Sequence, residues 1–386
     1  MDMHALKIAV IGGGIGGLAV ARACALRGAR VTLYEQAPAI TEVGAGLQIS
    51  PNGFAVLRAL GLGDALRGAG QQARGIALHD YRGARVVRLD LGALQERDYW
   101  FVHRADLIDI LHRGALDAGV TIRLGAKVHD AGPGPALRTD AGTQSADLVI
   151  GADGLHSVLR PALNGATAPF FTGQVAWRAT VPAPGSATAE ARVDMGPRRH
   201  LVSYPLRDGQ LMNLVAVEER AAWTAESWSH EGNPDQLRAQ FSGFGPAAQA
   251  LLARVDMVHQ WGLFRHPVAA VWGRDGVALL GDAAHPTLPF MAQGACMALE
   301  DAWVLAAMVA AKPDMGTALA AYQAKREGRV RRVVSAANGN AWKYHLSFAP
   351  LRFAAHSVMR LGGLVAPVRM MRQFDWIYGH DVTAER

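Results

Sequence analysis

"LKIAVIGGGIGGLAVARACALRGARVTLYEQ" (Leu6 to Gln36) places five glycines among the six residues Gly12 to Gly17 and ends on an acid, Glu35, followed by Gln36. The apolar run Leu6 to Ile11 leads straight into the glycines, so strand, tight turn and helix start follow in the order of a βαβ unit. Gly12 permits the turn, Gly14 lets backbone approach a pyrophosphate, and Gly17 lets the helix pack on the strand. The alanine-rich helix Leu18 to Arg27 stops at Gly28, and the strand Val31 to Tyr34 delivers Glu35 to its carboxyl end, where an acid accepts hydrogen bonds from ribose hydroxyls. The stretch predicts a dinucleotide site around Gly12, Gly14, Ile15, Gly16, Gly17, Glu35 and Gln36. It does not separate NAD from FAD, and a glycine-rich packing turn with a solvated Glu35 is the plainer alternative.

A chain of 386 residues, half of them apolar, buries a large core and exceeds one simple layer, so two interlocked domains are expected. Mean hydropathy near zero, no signal-peptide pattern before Leu6, and a longest apolar helical stretch (Trp303 to Ala311) too short for a bilayer predict a soluble, cytoplasmic protein without a membrane partner. Two cysteines, Cys24 and Cys296, support neither a disulfide framework nor a Cys-ligated metal site, and no metal is expected. The net charge is +6, with scattered arginines except in "KREGRVRR" (Lys325 to Arg332), which reads as the exposed face of a long helix. No basic-aromatic interleaving or nucleic-acid module is present, so the field favours small anions instead.

"HRADLIDILHRGALDAG" (His103 to Gly119) has helical spacing, and "VTIRLGAKVHDA" and "ADLVIGADG" read as strands, the second a continuous apolar run suited to a buried parallel sheet. From Phe170 to Gly262 the pattern changes to short runs broken by Gly, Pro and charge: "GQVAWRATVP", "ARVDMG", "RHLVSYPLR" and "QLMNLVAVEE". The α/β pattern returns at "GVALLGDAAHP". The expected fold is α/β: a discontinuous Rossmann-like nucleotide domain (1–75, 98–168, 265–335), an inserted antiparallel β-sheet substrate domain (76–97, 169–264) and a helical C-terminus (336–386). "AGPGPA" (Ala131 to Ala136) reads as a hairpin-like loop.

Two further motifs repeat the strand-then-loop layout. "GADGLHSVLR" (Gly151 to Arg160) puts Asp153 and Gly154 at a strand's carboxyl end, where ligands gather in doubly wound sheets, with Ser157 and Arg160 on the helix that follows. Capping by Asp153 explains the turn but leaves Arg160 without a reason. In "GVALLGDAAHPTLPFMAQGACMALEDA" (Gly276 to Ala302), Asp282 can accept a hydrogen bond from a polyol, and a helix starting near Ala295 offers N–H groups to negative charge, such as a reduced isoalloxazine.

The glycine hexad with Glu35, "GADGxHSxxR" and "GDAAHP...QGA", in this order and spacing, resemble the FAD-dependent single-component aromatic hydroxylases, in the salicylate, 3-hydroxybenzoate and 6-hydroxynicotinate monooxygenase branch. The likeness extends to "GAGLQISPNG" (Gly44 to Gly53), "HRADL", "AWRA" and "FDWIYGHD". It implies non-covalent FAD, with Gly12, Gly14 and Gly17 at the pyrophosphate, Glu35 at the adenosine ribose, Val128 at the adenine and Asp282 at the ribityl chain. Arg104 would reach the ribityl or phosphate region, unless it is instead a structural pair for Asp106. Asp153 and Arg160 would serve FAD and a visiting NAD(P)H, which has no second fingerprint of its own. Gly46, Gly294, Ala295 and Cys296 would also line the cofactor, Pro289 would place its carbonyl by the flavin, and His285 would pack beneath the loop. The implied reaction uses NAD(P)H and O₂ to hydroxylate a hydroxylated aromatic or N-heteroaromatic acid through a flavin C4a-hydroperoxide, with or without decarboxylation.

A phenol becomes strongly nucleophilic on losing its proton, so a general base is needed. In "RRHLVSYP" (Arg198 to Pro205), strand alternation puts His200, Val202 and Tyr204 on one face and Leu201 and Ser203 on the other. His200 and Tyr204 are the candidates, and the likeness carries over at both; a satisfied sheet histidine beside a core tyrosine is the plainer reading. Gln48 stands where the 6-hydroxynicotinate enzymes have His, and Gln293 is a further candidate to orient the substrate. The alternatives are a flavin reductase without oxygen transfer, or a redox sensor. The C-terminal helix and "FDWIYGHD" allow either a homodimer contact or closure of the flavin domain.

Overall fold

Four of the five residues of the strand Lys7–Ile11 are buried, as an apolar strand covered on both faces requires. In the computed structural model, which describes residues 1–40, 45–94, 98–131, 134–183, 188–223 and 230–384, this strand lies inside a six-stranded sheet. Across it the order is Gly273–Arg274, Val277–Leu279, Leu148–Gly151, Lys7–Ile11, Arg30–Tyr34 and Thr121–Arg123. All neighbours are parallel except the short edge pair Gly273–Arg274 and Val277–Leu279. Ile11, Tyr34, Gly151 and Leu279 therefore end at one edge of the sheet, and each is followed there by one of the motifs read from the sequence.

The helix Ile15–Ala25 packs against the helix Gly294–Ala311. The second corrects an expectation: at 18 residues it is long and apolar enough to cross a membrane, whereas the sequence reading began its apolar stretch only at Trp303. It is a core helix, 61% buried, and its buried residues include Glu300 and Asp301.

The inserted domain is an eight-stranded sheet in the order Glu231–Gly232, Val258–Arg265, Phe170–Pro182, Leu211–Glu219, Arg199–Leu206, Glu190–Gly196, Gly75–Asp80 and Arg85–Asp90. It is antiparallel save for one parallel pair, Glu190–Gly196 with Gly75–Asp80. Residues alternate between its faces. Leu201, Trp177 and Leu214 pack with Leu237, Phe241 and Leu252 of the helices Pro234–Gln240 and Pro246–Leu252, while His200, Val202 and Tyr204 face an internal cavity.

The helix Met315–Tyr344 runs without a break through residue 336, so no boundary falls where the sequence placed one. Helices Ala349–Val365, Pro367–Arg372 and Asp375–Tyr378 follow. Arg329 on the long helix donates to the carbonyls of Trp376 (2.7 Å) and Ile377 (2.9 Å), and Tyr378 lines the cavity, so "FDWIYGHD" closes the interior of its own chain. Gly44 of "GAGLQISPNG", residues 132–133 of "AGPGPA" and residues 95–97, 184–187 and 224–229 of the expected substrate domain lie outside the described residues; the strands Val128–Ala131 and Ala136–Thr139 on either side of that loop do pair.

Candidate active site

Gly12 has a φ of +102°, and a Cβ there would sit 2.5 Å from the Ala152 carbonyl oxygen. A Cβ on Gly17 would lie 1.9 Å from the Gly12 carbonyl, so both positions exclude any side chain. At Gly14 a Cβ would meet nothing within 4 Å, and Gly14 caps the helix Ile15–Ala25 without a side-chain bond, leaving first-turn N–H groups facing open space. Glu35 accepts from Gly13 N (2.6 Å) and Ala37 N (2.8 Å), which holds its carboxylate against the turn, with Gln36 exposed beside it. Ala126 donates to the Glu35 carbonyl, bringing the segment that enters Val128 alongside.

The second motif divides its two charged residues between different tasks. Asp153 accepts from Val158 N (2.8 Å) through Oδ2, while its buried Oδ1 has no hydrogen-bond partner among the described residues. Arg160 is 5% exposed and donates to the carbonyls of Ala283 (2.9 Å), Ala284 (3.1 Å) and Pro267 (2.7 Å). The expectation that Arg160 meets a nucleotide is therefore corrected: its guanidinium ties this loop to the one carrying Asp282, and neither it nor Asp153 lines the cavity. Arg104 does line the cavity, with its charge bearing on Asp282, while Asp106 pairs with Arg207 (2.8 Å), so the alternative pairing of Arg104 with Asp106 is not formed. Asp282 is open to the cavity, and the protein packed around it pushes its carboxyl above the ordinary range.

Beneath the Pro289–Met291 turn the polar groups form a closed network. Gln293 donates to Ser50 Oγ (2.9 Å) and accepts from Asn52 (3.0 Å), and Asn52 also donates to Glu300 (2.6 Å). Gln293 is 1% exposed and absent from the cavity wall, so the expectation that it orients a substrate is corrected; its side chain is spent holding the start of the helix Gly294–Ala311. The Cys296 thiol packs under Ser50 (3.4 Å) and burial pushes it up, so only its main chain is available to a cofactor. His285 binds Asp301 (2.6 Å) under Trp272. The turn itself presents Pro289 to the cavity, with the Pro289 carbonyl accepting from Ala292 N (3.0 Å), and Ala292 bends the chain at φ +51° into Gly294 and Ala295.

The cavity has a volume of about 830 Å³ and two unlike walls. Gly14, Ile15, Gly16, Arg104, Asp282, Gly294 and Ala295 form one; the other is the sheet face, with Val193, Val202, Val215 and Val217 among its apolar residues. Polar groups on the second wall are few. Tyr204 lies with its ring 5.0 Å from Phe101, and a Cβ on Gly46 would come 2.6 Å from that ring. Gln48 accepts from Tyr99 Oη (2.7 Å). His200, 2% exposed, bonds through Nδ1 to His345 Nε2 (2.7 Å), which leaves its Nε2 as the nitrogen for a cavity ligand. Burial, reinforced by His345, pushes the His200 imidazole well below its ordinary range.

Sequence reasoning missed Arg178, Tyr99, Tyr344 and His345. Arg178 lines the cavity and stacks over Trp261 at 4.9 Å; its "AWRA" motif was visible, and alternation with the inward-packed Trp177 could have assigned its face. His345 follows the long helix and carries no local signal of its partner 145 positions away.

The side-chain-free positions at Gly12 and Gly17 and the helix start behind Gly14 fit a dinucleotide. Comparison with known proteins agrees: residues 5–337 match a family described as an FAD binding domain. The chain is 35% identical to the 3-amino-4-hydroxybenzoate 2-monooxygenase PtnB3 of Streptomyces platensis, over 99% of this chain and 98% of that one. It is 34% identical to the 3-hydroxybenzoate 6-hydroxylase of Polaromonas naphthalenivorans and 33% to the 6-hydroxynicotinate 3-monooxygenase of Bordetella bronchiseptica, each over 98% of this chain and 96% of the relative. Among solved structures, Klebsiella pneumoniae HpxO complexed with FAD and uric acid superposes with a TM-score of 0.83 at 29% identity, covering 95% of this chain and 96% of that one. A salicylate hydroxylase substrate complex superposes with a TM-score of 0.80 at 25% identity, covering 98% and 96%.

Proposed function

The chain belongs to the family of FAD-dependent aromatic monooxygenases, and from that premise we propose that it hydroxylates an anionic, hydroxylated aromatic or N-heteroaromatic acid with His200 as the base that ionises the ring hydroxyl. The observation that carries this reading is the two-walled cavity, in which cofactor-type residues face an apolar sheet bearing His200, Tyr204 and Arg178. FAD, when bound along Gly14–Gly16, Arg104, Asp282 and the Gly294–Ala295 helix start, supplies the activation of O₂ with electrons from NAD(P)H.

This chain's own residues do the rest. The valines and leucines of the sheet wall keep water from the ring, which strengthens every charge interaction inside and protects reactive species from hydrolysis. Arg178 offers a positive charge to the acid's carboxylate, and Tyr204, braced by Phe101, holds a ring substituent. His200 Nε2 takes the hydroxyl proton, raising the electron density of the ring carbon to be oxygenated. The buried network around Gln293 fixes the start of the helix Gly294–Ala311, whose N–H groups and dipole would stabilise negative charge on a bound flavin.

The test follows NADH oxidation, O₂ uptake and product formation with 3-amino-4-hydroxybenzoate, 3-hydroxybenzoate, salicylate and 6-hydroxynicotinate. One of these is expected to stimulate oxidation and appear with one added oxygen. His200→Ala is expected to keep FAD and consume oxygen but lose hydroxylated product by about 10²–10⁴-fold, releasing hydrogen peroxide instead. Unchanged coupling of NADH to product in that variant would remove His200 from the chemistry. The relatives are monooxygenases, which leaves the reductase and redox-sensor alternatives without support.

A further inference from the structure

The base just described has a difficulty that its surroundings answer. His200 lies in a dry pocket between Phe290 (ring centres 5.2 Å apart) and Tyr344 (5.3 Å), where an imidazolium is costly to hold. A base that cannot keep a proton must pass it on. From His200 one route leads outward: His200 Nδ1 to His345 Nε2 at 2.7 Å, then His345 Nδ1 to Glu219 Oε1 at 3.1 Å. The side chain of His345 is 1% exposed and that of Glu219 is 34% exposed, so the chain begins at the cavity and ends at solvent. Backbone bonds hold the three segments of this junction together, Arg198 N to the His345 carbonyl (3.1 Å) and Glu219 N to the Arg198 carbonyl (2.9 Å).

We propose that His345 and Glu219 are relay residues that carry the substrate's hydroxyl proton from His200 to bulk water. The inference rests on the reading of His200 as the substrate's base. The tautomers agree along the chain. The Glu219 carboxylate accepts from His345 Nδ1–H, so His345 Nε2 carries a lone pair, accepts from His200 Nδ1–H, and leaves His200 Nε2 unprotonated toward the cavity. In the forward step the substrate O–H breaks and an Nε2–H forms on His200. The Nδ1 proton of His200 moves to His345 Nε2, that of His345 Nδ1 moves to Glu219, and Glu219 releases it to water. One proton leaves and no electrons move; the reverse run reprotonates the product hydroxyl and restores both starting tautomers. The charged groups facing this chain are Arg198, which donates to Glu219 Oε2 (3.0 Å), and Arg199, whose charge bears on His345. Arg199 disfavours a resting imidazolium on His345, as a conduit needs.

Stopped-flow mixing of FAD-loaded protein with 3-amino-4-hydroxybenzoate, 3-hydroxybenzoate or 6-hydroxynicotinate, in weak buffer with a pH-indicator dye, reads the proton as it reaches solvent. The wild-type protein is expected to release it rapidly with the acid that it hydroxylates. Glu219→Gln and His345→Gln should each slow release at least about tenfold with FAD content kept, and added imidazole should restore part of the rate, which a structural defect would not allow. Wild-type release rates in both variants overturn the relay alone. Wild-type release from His200→Ala, or no release from the wild-type protein with any of the three acids, overturns the base reading and the relay with it. Where the variants do not fold, the wild-type release rate against deuterium content decides: a bowed dependence supports several protons in flight, and a straight line overturns the relay.

Discussion

Asp301→Asn removes one charge from the centre of the molecule while changing almost nothing in shape. Asp301 is fully buried; its Oδ2 pairs with His285 (2.6 Å) and accepts from Gly281 N (3.0 Å), and its Oδ1 accepts from Arg326 Nε (2.7 Å). Burial alone would raise this carboxyl, but His285 and Arg326 outweigh it and hold it down at about 2. An amide fits badly here because its NH₂ must face a donor, either the guanidinium or the Gly281 N–H, and Arg326 would keep only Glu300 (2.6 Å) as a charge partner. Breaking such a buried arrangement costs about 3–5 kcal/mol. For 386 residues the unfolding entropy is about 0.8 kcal/mol/K, so the melting temperature should fall by about 4–6 °C in calorimetry of the FAD-loaded protein. The sign with pH follows: a depressed carboxyl stabilises the fold above its unfolded value and loses that contribution on acidification. The difference between wild type and variant should therefore close between about pH 4 and pH 2. A fall of less than about 1 °C at neutral pH would refute the argument that this charge holds Gly281, and with it Asp282, in place.

Gly17→Ala puts a Cβ 1.9 Å from the Gly12 carbonyl oxygen and must push helix from strand; overpacking of about 1–3 kcal/mol predicts FAD bound about 5–150-fold more weakly, read by flavin fluorescence on titration. Arg160→Ala strips donors from three carbonyls, so FAD content and thermal stability should fall together; a slower anaerobic reduction by NADH with FAD content unchanged would return Arg160 to the nucleotide. Gly46→Ala drives a Cβ to 2.6 Å from the Tyr204 ring, and steady-state kinetics should show a raised KM for the aromatic acid with FAD retained.

What was legible in the sequence was what depends on neighbours in the chain. The strand-glycine-helix order of Leu6 to Gln36, the alternation that turns His200 and Tyr204 inward, and the loops after Gly151 and Leu279 all follow from local periodicity and turn chemistry. Errors came where a side chain's partner lies far along the chain. Arg160 was given to a nucleotide because its carbonyl acceptors stand at positions 267, 283 and 284, and Gln293 to the substrate because Ser50 and Asn52 lie some 240 residues before it. The helix start near Ala295 was legible, but its apolar stretch was begun only at Trp303 for the same reason. Glu300 and Asp301 interrupt the apolar run, and only the fold brings Arg326 and Arg329 to neutralise them.

The cavity and the relay meet opposing demands on one strand. Dryness would strengthen the hold of Arg178 on an anion, but it also makes a protonated His200 expensive. The conflict is resolved by register. His200 pairs with Val217 across the hairpin, so its ring shares the apolar face, while Glu219, two residues beyond Val217, lies at the rim with water beside it. The positive φ of Arg198 (+58°) turns the chain at that rim, and the Arg198 carbonyl takes the Glu219 N–H, fixing where the strand begins. A slip of one residue would point His200 at Leu237 and Phe241 and turn Leu201 toward the substrate. The same hairpin that seals the pocket thus sets the only bond lengths over which a proton can leave it among the described residues around His200.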